Sequence, residues 1–266
     1  MKRILITAII IYIPAIISIG GGMAGNDASR ELARAYSEQR WGTVRELLAK
    51  EKNSPRNGLF QSFYNLGYAG GDRLQALKTL KSLTEDDSTP QDIKRQAMLT
   101  RSRAIDLMQQ RLDLYPDANS LGDPCVGYAA IIKEYPSSKE ACYAVIYKSR
   151  RDAKMADLEK FLAAPELRCK ELLGVVHWFA ANQYIALKRD YTKAVEHLLA
   201  ADEYGIDNPR FLSEIRFQIP RLYELKLKDP KKATIYYRRY VKLYPASVYS
   251  LNARKAIKRL TRENAQ

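Results

Sequence analysis

The stretch DPKKATIYYRRYVKLYPAS, residues 229–247, decides the fold. Asp229 offers a side-chain acceptor at an N-cap, and Pro230 stands at the first helical position, where its missing N–H costs nothing. Ala233, Tyr237 and Tyr240 then recur at helical spacing. Proline disfavours helical geometry in the residue before it, so Tyr244-Pro245 marks the stop. The stretch predicts one capped helix with a defined end.

Working outward, Tyr-Pro recurs in KEYPSS (133–138) and DLYPDA (113–118). Aligning 128–138 with 237–247 sets Tyr128 on Tyr237, Ile131 on Tyr240, Lys133 on Lys242 and Tyr135-Pro136 on Tyr244-Pro245. Aligning 178–205 with 217–244 sets Trp178 on Phe217, Tyr184 on Tyr223, Asp190 on Asp229, Lys193 on Lys232, Ala194 on Ala233 and Leu198 on Tyr237. Each copy reads as a helix, a short polar connection and a second helix. The early alanine leaves room for two helices to cross closely, and larger apolar residues fill the groove one and two turns later. Each Tyr-Pro is expected to be a corner, its ring wedged between consecutive helix pairs.

Earlier copies are fainter. GGDRLQALKTLKSL puts Ala76, Leu80 and Leu83 in the pattern, and EQRWGTVRELLAK puts Val44 and Leu48 there. Thr89-Pro90, Asp123-Pro124 and Asn208-Pro209 read as further caps. Thr89 is expected to open a helix with Asp92 in its first turn and a stripe of Ile93, Ala97, Ala104, Met108 and Leu112. Tyr115 and Tyr135 stand too close for a hairpin between them, so 84–170 is expected to be irregular. SVYSLNARKAIKRLTREN gives a terminal helix over 247–262, with Tyr249, Ala253, Ile257 and Leu260 as its apolar face. Its basic residues fit either the polar outer face of a cap or a docking patch.

Beside these residues the chain resembles the tetratricopeptide repeat superfamily. Trp178, Ala194, Leu198 and Ala201 carry the resemblance in one copy, and Phe217, Ala233, Tyr237, Tyr240 and Pro245 in the next. The Tyr-Pro-x-Ser flavour is similar to repeats of the outer-membrane assembly lipoproteins and the Tol-Pal-associated periplasmic repeat proteins. The match covers 170–262 well and 28–150 loosely. The chain departs from the assembly lipoproteins in having no cysteine for lipidation after the leader. The resemblance implies an all-α fold, a right-handed αα superhelix of TPR-like hairpins over 25–266, with its best repeats at 170–205 and 209–245. It also implies a periplasmic scaffold or adaptor in a bacterium with an outer membrane, holding a protein or peptide partner in its groove. Helical phase nominates Gln183 and Lys188 in one first helix, and Arg216 and Gln218 in the next. Arg254 and Lys258 are the candidates on the basic terminal helix.

The N-terminus reads as a signal peptide over 1–24. MKR is followed by an apolar run, Ile4 to Ile19, and then by small residues around Gly22-Met23-Ala24. The run is short for a span and holds Pro14; an uncleaved anchor stays open as the other reading. Net charge is +14, which favours anionic partners such as a membrane surface or acidic polymer, or none. Cys125, Cys142 and Cys169 are an odd number, so at least one is free or bridges another molecule; buried unpaired thiols are expected, with one disulfide as the alternative.

No catalytic constellation is legible, and no cofactor or metal is expected. GYAGGDR (67–73) lacks the lysine of a phosphate loop and reads as a hairpin turn. His177 and His197 fall on paired helices, but a metal needs further ligands; Cys169, Glu171 and Glu196 are the neighbours in sequence. YYRRYVK mixes aromatics with basics, yet Tyr237 and Tyr240 occupy packing positions, which argues against nucleic acid.

Overall fold

The computed structural model describes residues 31–263 apart from 33, 37, 51–53 and 69, so the expected leader lies outside the described residues. Every regular element among the described residues is helical. The chain divides into two compact units after Pro136. The first contains α1 (Trp41–Lys50), α2 (Pro55–Gly67), α3 (Arg73–Glu85), α4 (Gln91–Gln109) and α5 (Pro124–Glu134), with a 3₁₀ turn over Pro116–Leu121. The second contains α6 (Lys139–Asp152), α7 (Met155–Leu162), α8 (Lys170–Gln183), α9 (Tyr191–Tyr204), α10 (Pro209–Leu225), α11 (Pro230–Leu243) and α12 (Val248–Glu263). Within each unit consecutive helices pack against one another. In addition α2 touches α4, and α6 touches α8.

One device builds three of the hairpins. Asp72, Asp190 and Asp229 cap α3, α9 and α11, each accepting the backbone N–H three residues on at 2.9–3.0 Å. The fourth residue after each aspartate is an alanine, Ala76, Ala194 or Ala233, and all three are fully buried. One turn later come Leu80, Leu198 and Tyr237, and then Leu83, Ala201 and Tyr240, also buried. A cap is worth about 1 kcal/mol, and burial of each large side chain about 1.5–3 kcal/mol.

The two later copies agree down to the backbone. Arg189 and Lys228 precede their caps with left-handed φ of 53° each. Tyr184 and Tyr223 carbonyls accept from the Asp190 and Asp229 amides, at 3.2 and 2.9 Å. In the first unit Gly71 fills the corresponding place, where a Cβ would stand 2.3 Å from the Asn65 carbonyl oxygen. The copy at 73–85 is thus as regular in its second helix as the later ones.

Three expectations need correction. Tyr-Pro ends a helix at Tyr135 and Tyr244, the C-caps of α5 and α11, but not at Tyr115, which leads into the 3₁₀ turn after α4 has ended at Gln109. The rings do not wedge between pairs. They fold back on the first helix of their own pair: Tyr135 donates to Gln91 Oε1 at 2.8 Å under the Arg95 guanidinium, and Tyr244 accepts from Arg216 Nη1 at 2.8 Å. Thr89 is not a side-chain cap. Pro90 itself is the residue before α4, and the Thr89 hydroxyl turns back to Asp86 at 3.4 Å. The segment 84–170, read as helical but irregular in its repeat spacing, runs through α4 to α7 with 3₁₀ turns over Pro116–Leu121 and Pro165–Leu167. Asp123 and Asn208 do cap as expected, at 2.9 Å to Cys125 N and 3.1 Å to Arg210 N.

The terminal helix forms as expected, with its face rotated slightly. Ser250, Ala253, Ala256 and Leu260 are buried, while Tyr249 lies at the edge and stacks on Phe217 at 4.7 Å. Trp178, the counterpart of Phe217, meets Phe211 of α10 edge-on at 4.5 Å. Each of the two aligned positions therefore reaches the first helix of the following pair.

Backbone approaches backbone closely at Gly174 of α8, where a Cβ would stand 2.0 Å from the Gly205 carbonyl oxygen at the end of α9. Gly174→Ala should destabilise the second unit by about 1–3 kcal/mol, because backbone must move. Gly42→Ala, in a helix with nothing within 4 Å, should stabilise by about 0.5–1 kcal/mol. Thermal unfolding of the two variants reads the contrast.

Candidate functional site

The polar concentration in the second unit is a chain of five ionisable side chains on α7, α8, the π-turn Tyr184–Lys188 that follows it, and α9. His177 and His197 face each other through their Nδ1 atoms at 3.0 Å. His197 Nε2 lies 3.6 Å from Glu159 Oε1. Tyr184 donates to the same carboxylate, and Lys193 Nζ donates to the Tyr184 hydroxyl at 3.3 Å. The rings stack as well: His177 on Tyr204 at 5.4 Å, His197 on Tyr184 at 5.4 Å.

Which imidazole donates across the Nδ1–Nδ1 contact depends on the tautomer: a carboxylate accepts only, so a His197 proton on Nε2 faces Glu159 and makes His177 the donor. The cluster brings Glu159 of α7 against the α8–α9 hairpin. Burial lowers both imidazoles, and the neighbouring His197 lowers His177 further, to about 4. Tyr184 is raised by burial and by its bond to Glu159. The histidine proximity was legible from the repeat. The partner Glu159 was not, since it comes from a short helix outside the aligned copies.

Among the described residues, no group of three or more His, Cys, Asp or Glu side chains is placed to hold a metal ion. Glu171 pairs with Lys139, and Cys142 points its thiol at the Cys169 carbonyl, 4.0 Å away. Cys125, Cys142 and Cys169 form no disulfide among the described residues, and burial pushes Cys142 up to about 12. Cys125 and Cys142 are buried; Cys169 is only half-buried.

The nominated groove residues do not form one cluster. Gln183 ends α8 half-buried, and Lys188 is exposed in the π-turn that follows. Gln218 is half-buried on α10. Arg216 is committed to structure: its Nε pairs with the buried Asp202, which also takes Arg239 at 3.0 Å, and its Nη1 holds Tyr244. Sequence reasoning missed Asp202, since nothing in its helical phase distinguishes it from a surface carboxylate.

The terminal helix presents the more open surface. A recess of about 520 Å³ lies between the start of α10 and the start of α12, lined by Pro209, Ser213, Glu214, Tyr244, Val248 and Tyr249 among others. Ser213 and Ser247 both meet the Tyr240 hydroxyl at its base, at 2.8 and 3.0 Å. Val248, in its lining, is 76% exposed, and Leu251 of the same helix is 59% exposed. Arg254 is exposed and reaches the Pro245 carbonyl at 3.4 Å. Lys258 lies with Lys255, Arg259 and Arg262 around a shallow hollow; of these Arg259 is paired with Glu224.

Comparison with models of known protein families, with curated proteins and with solved structures finds no match.

The histidine chain sets a pH dependence. Unfolded, His177 binds a proton near pH 6.5; folded, only near pH 4. The unfolded state binds more protons between these values, so stability rises with pH there. It should be full above about pH 6.5 and fall progressively towards about pH 4. Thermal unfolding across this range should show the slope, and His177→Asn should flatten it.

Proposed function

We propose that this chain is a non-catalytic helical-repeat adaptor of the bacterial cell envelope, a right-handed αα superhelix of the tetratricopeptide type that binds a protein or peptide partner. The observation that carries the reading is the repeated hairpin: an aspartate cap, a buried alanine four residues on, and the same left-handed residue before the cap at Arg189 and Lys228. A unit repeated in this way buries its faces against neighbours and leaves a surface for recognition. The leader-like sequence at 1–24 supports export.

The partner segment docks at the recess beside α12. An apolar side chain fits against Val248 and Tyr249, and acidic residues further along meet Arg254 and Lys258. Gln183, Lys188 and Gln218 remain candidates for contacts on the first helices. A second reading has one observation in its favour: Lys255, Lys258 and Arg262 form no ion pair among the described residues, and an anionic envelope polymer or membrane surface would hold them.

The two readings separate by salt. Residues 25–266, cross-linked in envelope extract as bait, should retain one discrete protein through a high-salt wash, and Val248→Asp should abolish its capture. Surface charge is screened within about 8 Å at physiological ionic strength. Loss of everything above moderate salt, with lipid or polymer in the low-salt eluate, would overturn the adaptor reading in favour of the second.

A further inference from the structure

A second concavity, in the first unit, has a different character. It is a cleft of about 370 Å³ between α4 and α5, closed at one end by Thr84 of α3. We propose that this cleft binds a small organic oxyanion, carboxylate or phosphate, gripped by Lys94, Arg101 and Ser102.

At the cleft wall Ser102 packs its hydroxyl against Gly127 of α5, where a Cβ would stand 2.0 Å from it. Helix α4 carries polar groups along this wall, in a stretch where a packed helix would place apolar ones. Lys94 has a side chain 10% exposed, yet its ammonium meets only Asp87, a wholly exposed carboxylate 3.5 Å away. Ser102 is 4% exposed and makes no hydrogen bond among the described residues. The Nε of Arg101 is buried without a partner. Three donor groups therefore face one polar cleft with little to accept from them. A buried donor left without an acceptor costs about 1–3 kcal/mol, and more when charged. The Arg101 Nε is such a donor, and a ligand that brings oxygens relieves it while also meeting Lys94 and Ser102.

Charge sets the sign of that ligand. Lys94 and Arg101 stand on one wall, and the cleft has a single carboxylate, Glu134, which is exposed at the rim. Gln91 is tied to Tyr135 at 2.8 Å, and Thr84 to the Lys81 carbonyl at 2.7 Å, so neither competes for the cations. Length follows from the helix. Positions 94 and 101 lie two turns apart, about 10 Å along the axis. Met98 stands between them as an apolar floor. A ligand with an oxyanion at each end of a short carbon chain spans that distance, whereas a single compact ion engages one cation. Planar oxyanions suit the guanidinium of Arg101 in particular.

The test uses the full chain with succinate and inorganic phosphate as probes, read by calorimetry and by thermal shift. Saturable binding of either probe in the range up to about 10 mM is expected. Tighter binding of succinate names a dicarboxylate, and tighter binding of phosphate names a phosphorylated compound. Arg101→Gln and Ser102→Ala should each weaken binding by about tenfold with helicity unchanged. Lys258→Gln, on α12, should leave it untouched. No saturable binding of either probe, or equal weakening by Lys258→Gln, would overturn the proposal.

Discussion

The structure depends on the crossing of two helices through an alanine. A helix pair can approach closely only where a side chain is absent or small. Here the small residue is placed by the residue that starts the helix. Asp72, Asp190 and Asp229 fix where α3, α9 and α11 begin, and the alanine four residues later falls on the first inward position. The larger residues at the next two inward positions are then in register with the partner helix without further instruction. The cap and the crossing are one device, since a shift in the helix start would turn every inward position outward.

Much of this was legible because it is local. A cap is an aspartate next to a turn, and a crossing is an alanine at a fixed distance from it. Asp190, Ala194 and Leu198 align with Asp229, Ala233 and Tyr237 by eye, and the structure places them alike. The same device at Asp72 read as faint because its following residues share less chemistry with the later copies, although its geometry is the same. Tyr-Pro was legible as a stop for the same local reason. What the tyrosine ring does was not, since its partners Gln91 and Arg216 lie 44 and 28 residues away. Tyr115 shows the limit of a dipeptide signal: proline disfavours helix before it, without excluding it, as Pro220 inside α10 shows, and does not require that a helix be there to end.

The candidate surfaces were less legible than the fold, for a physical reason. Helical phase says which way a side chain leaves its own helix, not what waits for it. Arg216 was in phase with a groove, yet buried Asp202 and Tyr244 hold it. His177 and His197 were expected to be near one another, but the carboxylate that faces them, Glu159, comes from a helix outside the repeat pattern, and burial depresses their affinity for protons against its pull. Lys94, Arg101 and Ser102 stood inside an ordinary helical stripe, and only the facing helix, with Gly127 against Ser102, makes them walls of one cleft. Pairwise chemistry across helices is therefore where sequence reading stops here.

The most direct test of the account is the unfolding free energy of Ala233→Leu, set against Ile235→Leu in the same helix, where Ile235 is 62% exposed. The account predicts that overfilling the crossing at Ala233 costs about 2 kcal/mol or more, while the exposed change stays within about 0.5 kcal/mol. Equal effects at the two positions would contradict it, because the alanine would then not be the point on which the helix pair turns.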